Sequence, residues 1–141
     1  MASRSVLALD VGDKRVGIAA GSLAARLPRP LTTLERGSDF FDRLQHIITE
    51  EEAGLLVVGL PRNLSGQPTA QTRATEAFAS EIAVHTHLPM RFQDEALTSQ
   101  KAEQELESRG KPFGRGDIDA LAAAYILEDF FHDNPTVTEL A

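Results

Sequence analysis

The fold is decided by the stretch Ser5-Val-Leu-Ala-Leu-Asp-Val-Gly-Asp-Lys-Arg-Val-Gly-Ile-Ala-Ala20. Its first half, Ser5 to Gly12, is almost wholly apolar, which is typical of a strand covered on both faces. Only Asp13 and Lys14 separate it from a second apolar segment, Arg15 to Ala20. The two segments therefore predict a tight β-hairpin inside a sheet that has helices on either side.

Downstream of the hairpin, strand patterns alternate with helix patterns. A short strand is expected near Leu31 to Leu34, followed by an amphipathic helix with Ser38 or Asp39 as its N-cap and Gly54 as its stop. The later elements are a buried strand over 55–61, a helix over about 70–82, a strand over 90–95, a charged helix from a cap at Thr98 to Arg109, a mobile loop over 110–116 and an alanine-rich helix over 117–132. This order predicts an α/β fold with a mixed sheet, helices on both faces, and ligands at the carboxyl ends of its parallel strands.

Length and composition indicate one globular domain. The 141 residues, 42% hydrophobic and 25% charged, suit a single domain over 1–141, with flexible tails expected at about 1–4 and 133–141. No run of eighteen apolar residues and no signal-peptide pattern is present, so we expect a cytoplasmic protein with no membrane partner. The absence of cysteine excludes disulfides, thiolate zinc sites and cysteine nucleophiles.

Acidic residues stand at the places where this fold holds ligands. Asp10 lies within a core strand, where an ionised carboxylate requires a cation or hydrogen-bond donors, although it could instead cap the hairpin turn. Asp94 and Glu95 end a parallel strand and point to opposite faces, so one of them is expected in the site; interaction with a helix dipole is the alternative. Asp117 and Asp119 open the last helix, with Asp117 expected as its N-cap and Asp119 at its second position. Such carboxylates suit Mg²⁺ or Mn²⁺.

Basic residues near the same edge of the sheet could contact phosphate. The net charge is −7, from 14 Lys and Arg against 21 Asp and Glu, so a polyanion would need a local basic patch. Gly12 and Gly17 would let the hairpin backbone approach a phosphate closely. Solvated surface charge is the alternative interpretation for each basic residue. The candidates for nucleic-acid binding are Lys14, Arg15, Arg62, Asn63, Arg73, Lys111 and Arg115.

Around these acidic and basic residues, the sequence resembles the YqgF/RuvX family. Its members are bacterial proteins described as Holliday junction resolvases and pre-16S ribosomal RNA nucleases, and they have a ribonuclease H-like fold. The resemblance runs from Leu7 to about Phe131. It rests on four ordered blocks: Leu9-Asp-Val-Gly-Asp-Lys-Arg-Val-Gly-Ile-Ala19, Val57-Val-Gly-Leu-Pro-Arg-Asn-Leu-Ser-Gly66, Asp94-Glu-Ala-Leu-Thr-Ser99 and Asp117-Ile-Asp-Ala-Leu-Ala-Ala123.

The resemblance implies a catalytic and metal-binding set of Asp10, Glu95 and Asp119. Two positions depart from the family pattern: Ala96 stands where an arginine is usual, and Asp13 stands where a threonine is usual. The missing arginine bears on phosphate affinity or substrate choice more than on metal binding.

The function expected from these observations is that of a metal-dependent endonuclease acting on structured nucleic acid, either branched DNA or precursor 16S ribosomal RNA. Two ions roughly 3.5 to 4 Å apart would activate water and stabilise the leaving oxygen. Junction resolution would favour a homodimer. A catalytically weak or inactive phosphate-binding factor in ribosome assembly or recombination is the alternative. An actin-like ATPase or sugar kinase is a third class, disfavoured because those enzymes bind nucleotide between two such domains.

Overall fold

The computed structural model describes residues 4–61, 65–95 and 98–135, so most of the two predicted tails lies outside the described residues. These residues form one five-stranded mixed sheet in the order β3-β2-β1-β4-β5, which confirms the predicted α/β fold. The elements along the chain are β1 (Ser5–Val11), β2 (Arg15–Ser22), β3 (Arg29–Glu35), α1 (Phe40–Glu51), β4 (Ala53–Pro61), α2 (Ala70–Thr86), β5 (Met90–Glu95), α3 (Thr98–Ser108) and α4 (Arg115–Asp133).

The strand directions bring the candidate site to one edge of the sheet. β1 and β2 form the predicted antiparallel hairpin, in which Asp10 pairs with Gly17. β4 runs parallel to β1, and β5 runs parallel to β4. The carboxyl ends of β1, β4 and β5 therefore meet at the same edge, where this class of sheet binds ligands.

Helices cover both faces of the sheet, and each face has its own hydrophobic core. Side chains of β1 point alternately into the two cores. Leu7 and Leu9 pack with Phe40 of α1 on one face, in a cluster that also includes α2. Val6 and Ala8 pack with Ile126 of α4 on the other face. Because successive side chains of a strand point to opposite faces, Asp10 projects toward α4.

The C-terminal end of α1 differs from the prediction, whereas its N-terminal end lies where it was predicted. Gly54 does not stop α1, because the helix ends at Glu51 and Glu52 takes the left-handed position, with φ 54°, while Gly54 lies within β4. A terminating residue with positive φ is most often glycine, but here the N–H of Glu52 bonds to the carbonyls of Ile48 and Thr49. Asp39 does precede α1, but its side chain makes no capping hydrogen bond.

The last two helices also begin differently from the predictions. α3 starts at Thr98 itself, and α4 starts at Arg115 with Gly114 as its N-cap, so two residues expected in a mobile loop are helical. None of the helices among the described residues has the length and apolar character needed to span a bilayer.

Candidate active site

Asp10 and Glu95 lie on the same face of the sheet, beneath α4. Asp10 follows Val6 and Ala8 in the alternation of β1, and both of those residues pack against α4. Glu95 lies two residues after Gln93, whose side chain donates a 2.8 Å hydrogen bond to Asp133 of α4. Strand alternation therefore places Asp94 on the opposite face, so of the acidic pair Glu95 is the member near Asp10.

Gly17 brings Asp119 to this face. A Cβ atom on Gly17 would overlap the backbone carbonyl of Asp119 and lie 2.9 Å from the backbone nitrogen of Ala120. Only glycine permits α4 to lie so close to β2. Because Gly17 is also the hairpin partner of Asp10, this close approach brings Asp119 to Asp10. The space at Gly17 was expected to admit a phosphate, but the backbone of α4 fills it.

Gly59 makes room for Glu95 in the same way. A Cβ atom on Gly59 would overlap the side chain of Ile126 and lie 2.6 Å from Oε2 of Glu95. The Glu95 carboxylate therefore lies over β4, between its own strand and α4. Gly59 was not among the predicted site residues, although a glycine inside a buried strand often marks a close approach.

Burial and mutual repulsion act on Asp10. Burial, followed by the negative charges of Glu95 and Asp119, raises the pKa of Asp10 from 3.8 to about 8. Asp10 nevertheless retains partial solvent exposure. At neutral pH and without a cation, this carboxyl is therefore predominantly protonated, and Glu95 and Asp119 both lie close enough to act on its charge.

Arg15 pairs with one of these carboxylates. Its Nε donates a 2.8 Å hydrogen bond to Oδ2 of Asp119, and the two side chains are 32% and 20% exposed, respectively. Within the described parts of the chain, no three His, Asp or Glu side chains form a group that could hold a metal ion. The structure thus brings Asp10, Glu95 and Asp119 to one face but does not show them in a metal-ligand arrangement, and the metal assignment stays a prediction.

Asp117 has a role in helix capping, but from a different position than expected. It is the third residue of α4, and its Oδ2 accepts the N–H of Gly114 at 2.9 Å. The prediction that Asp117 is the N-cap was wrong because the helix begins two residues earlier, at Arg115. Asp119 accordingly lies fifth in the helix rather than second.

The predicted nucleic-acid contacts are spread over several elements. Lys14 is exposed at the hairpin tip, and Arg115 is exposed at the start of α4, after the exposed Lys111. Arg73 is exposed on α2, which covers the face of the sheet opposite α4. Three sequence-based assignments, namely Arg62, Asn63 and Ala96, fall outside the described residues.

Arg36 is a further basic residue at the hairpin and was not among the predicted contacts. Its Nη1 donates to the carbonyl of Gly12 at 2.9 Å, and its guanidinium lies 3.7 Å from the ring centroid of Phe78. Its backbone N–H also bonds to the carbonyl of Lys14. Arg36 thus supports the hairpin turn, a role that no spacing in the sequence indicates.

Comparisons with known proteins identify the family of this chain. The model of the RuvX family, described as "Holliday junction resolvase", matches residues 4–133. A Trichormus variabilis protein named "Putative pre-16S rRNA nuclease" is 41% identical over 132 residues, which cover 89% of this chain and 86% of that protein. A Dechloromonas aromatica protein of the same name is 37% identical over 131 residues, covering 90% of each.

A solved structure shares the fold. The structure described as "T. thermophilus RuvC in complex with Holliday junction substrate" superposes with a TM-score of 0.59 at 15% identity, covering 98% of this chain and 99% of that one. This likeness supports a ribonuclease H-like fold. Because the family model spans almost the whole chain and the relatives match along nine-tenths of it, the chain belongs to the RuvX family of nucleases.

Proposed function

We propose that this protein is a metal-dependent endonuclease that hydrolyses phosphodiester bonds in structured nucleic acid. The observation that carries the proposal is the convergence of Asp10, Glu95 and Asp119 on one face, where burial and then the charges of Glu95 and Asp119 raise the pKa of Asp10. The names of the relatives support two substrate classes, precursor 16S ribosomal RNA and the Holliday junction.

The donor set fits a divalent cation. All three side chains offer carboxylate oxygens, the ligands that Mg²⁺ and Mn²⁺ prefer. Burial, followed by the charges of Glu95 and Asp119, raises the pKa of Asp10, and a bound cation would offset both effects. Asp10, Glu95 and Asp119 would hold the metal, which when bound would supply water activation and charge stabilisation at the leaving oxygen.

The chain's own residues have separate tasks in this proposal. Asp10 holds a proton in the metal-free protein at neutral pH and must release it to act as a ligand. Gly17 and Gly59 fix the distances of Asp119 and Glu95 from the sheet, since neither position has room for a side chain. The basic side chains of the protein would bind the phosphate backbone of the substrate and orient it toward the carboxylates.

The substrate-binding assignment covers basic and amide side chains that belong to several parts of the chain. Each would contribute electrostatic contacts to phosphate, which makes binding dependent on salt concentration. Because the net charge is −7, we expect the affinity for nucleic acid to depend on these local positive charges. The proposed residues are Lys14, Arg15, Arg62, Asn63, Arg73, Lys111 and Arg115.

A parallel cleavage screen tests the function. Four-way DNA junctions and precursor 16S ribosomal RNA are incubated with the protein in Mg²⁺, in Mn²⁺ or in chelator, and the products are resolved on denaturing gels. We expect metal-dependent cleavage of at least one substrate, lost in Asp10→Asn and retained in Asp42→Asn, whose exposed carboxylate lies on α1. Cleavage in chelator, or equal activity of both variants, would contradict the proposal.

Binding without cleavage would instead support the alternative function, that of a phosphate-binding factor in ribosome assembly or recombination. The pairing of Asp119 with Arg15 favours this alternative, because it engages one of the three carboxylates. A nuclease for ribosomal RNA precursors would act in the cytoplasm. Resolution of a junction would need symmetric cuts and hence a homodimer, which light scattering on the junction complex can detect.

A further inference from the structure

Arg15 engages a carboxylate of the proposed metal site, although it was expected to bind phosphate. The bond from its Nε to Oδ2 of Asp119 is 2.8 Å long and joins residues 104 positions apart. The three proposed ligands share a face, yet among the described residues no metal-holding group of acidic side chains is formed. The Asp119 oxygen that meets Arg15 cannot at the same time be presented fully to a metal ion.

We propose that Arg15 is a replaceable cation: its guanidinium neutralises Asp119 while no metal ion is bound and moves to a substrate phosphate once one is bound. The inference rests on the proposed function, because it requires Asp119 to be a metal ligand. It adds an ordering of events, in which metal binding makes a phosphate contact available that the metal-free protein lacks.

The chemistry and position of Arg15 suit both partners. A planar guanidinium recognises carboxylate and phosphate oxygens in the same manner. Arg15 is 32% exposed and lies at the first position of β2, beside the exposed hairpin tip. A partly exposed ion pair of this kind has modest stability, so a divalent ion can displace it.

Displacement of Arg15 couples the binding of metal ions to the binding of nucleic acid. Metal ions would bind with lower affinity than the carboxylates alone allow, because they must displace the guanidinium. Nucleic acid would gain one phosphate contact only after the metal is present. By thermodynamic linkage each ligand then raises the affinity of the protein for the other.

The first experiment measures metal binding without nucleic acid. Isothermal titration calorimetry with Mn²⁺ and with Mg²⁺ compares the wild type with Arg15→Gln, Arg15→Lys and Arg29→Gln. Arg29 pairs with Glu51 at 2.5 Å, so its variant removes a similar ion pair and the same charge elsewhere. We expect Arg15→Gln to bind metal about tenfold more tightly than the wild type, Arg15→Lys to lie between them, and Arg29→Gln to match the wild type.

The second experiment measures the salt dependence of binding to a labelled four-way DNA junction by fluorescence anisotropy, with and without Mn²⁺. In chelator, Arg15→Gln and the wild type should show the same slope of log affinity against log salt. In Mn²⁺ the Arg15→Gln slope should be shallower by about one, the loss of a single phosphate contact. Arg15→Lys, which keeps the charge, should preserve the wild-type slope, and Arg29→Gln should do so under both conditions.

The outcomes separate the two proposals. If the wild-type protein binds neither Mn²⁺ nor Mg²⁺, both the proposed nuclease function and the inference about Arg15 are overturned. Metal binding that is unchanged or weakened in Arg15→Gln overturns the inference and leaves the nuclease standing, as does an Arg15→Gln salt slope that differs from the wild type equally in chelator and in Mn²⁺. Melting curves recorded for each variant show that it is folded, and Arg15→Lys supplies the comparison if Arg15→Gln does not fold.

Discussion

Replacing Asp10 by asparagine is expected to stabilise the metal-free protein at neutral pH. Burial, with the charges of Glu95 and Asp119, raises the pKa of Asp10 from 3.8 to about 8. A carboxyl whose pKa is higher in the folded state than in the unfolded state holds extra protons when folded, so the free energy of unfolding falls as pH rises from about 4 to about 8. Asparagine has nearly the same shape and no charge, so it escapes this loss.

The size of the effect follows from the shift. Each pH unit above about 4 lowers the free energy of unfolding by at most about 1.4 kcal/mol. Over the roughly three units up to pH 7, the loss is therefore at most about 4 kcal/mol. Asp10 keeps partial solvent exposure, which weakens its electrostatic interactions. We therefore expect Asp10→Asn to gain about 2 kcal/mol over the wild type at pH 7, and almost nothing near pH 4.

Urea unfolding followed by circular dichroism, in chelator and across this pH range, measures the difference. Asp13→Asn is the matched control, because it removes one exposed carboxylate from the same hairpin. Saturating Mg²⁺ should reverse the order, since only the wild type gains stability from the ion. A difference between Asp10→Asn and the wild type that is constant with pH would refute the reasoning.

Three further predictions follow from the packing around the site. Gly17→Ala should lower the free energy of unfolding by about 3 kcal/mol in urea titrations, because the new methyl group overlaps the backbone of Asp119; a stable variant would mean that α4 does not lie this close. Asp119→Asn should abolish cleavage, whereas Asp117→Asn should keep activity and cost about 1 kcal/mol in thermal melting, since its side chain caps Gly114; the opposite pattern would exchange their roles. Gly59→Ala should reduce cleavage as well as stability, because its methyl group would lie 2.6 Å from the Glu95 carboxylate; unchanged rates would exclude this contact.

Helix ends show where local sequence signals were insufficient. Gly54 looked like the stop of α1, yet Glu52 takes the left-handed conformation, and the backbone bonds it forms there satisfy the last turn. Asp117 looked like an N-cap, yet Gly114 holds that position and the Asp117 side chain accepts its N–H from the third position of α4. Several residues near a helix end can satisfy the same backbone groups, so composition indicates that a helix ends there without indicating which residue ends it.

The order of strands and helices was determined by the sequence alone. Apolar runs, their period and the two-residue turn at Asp13 and Lys14 are local signals, and they predicted the hairpin and the alternation that follows. The same signals singled out Asp10, because a carboxylate within an apolar strand requires an explanation. For the other two proposed ligands, the predicted sheet edge and helix start offered two acidic pairs. The family resemblance then selected Glu95 and Asp119 from these pairs.

Only the tertiary structure decided how these groups meet. Three contacts at the site join residues that are far apart in the chain. They are the close approach of α4 to Gly17, the position of Glu95 over Gly59 and the pairing of Arg15 with Asp119. Such contacts depend on which strand lies beside which and how deeply a helix packs, and no local pattern records either. The pKa of Asp10 belongs to the same class, because it is set by burial and by charges that folding brings together.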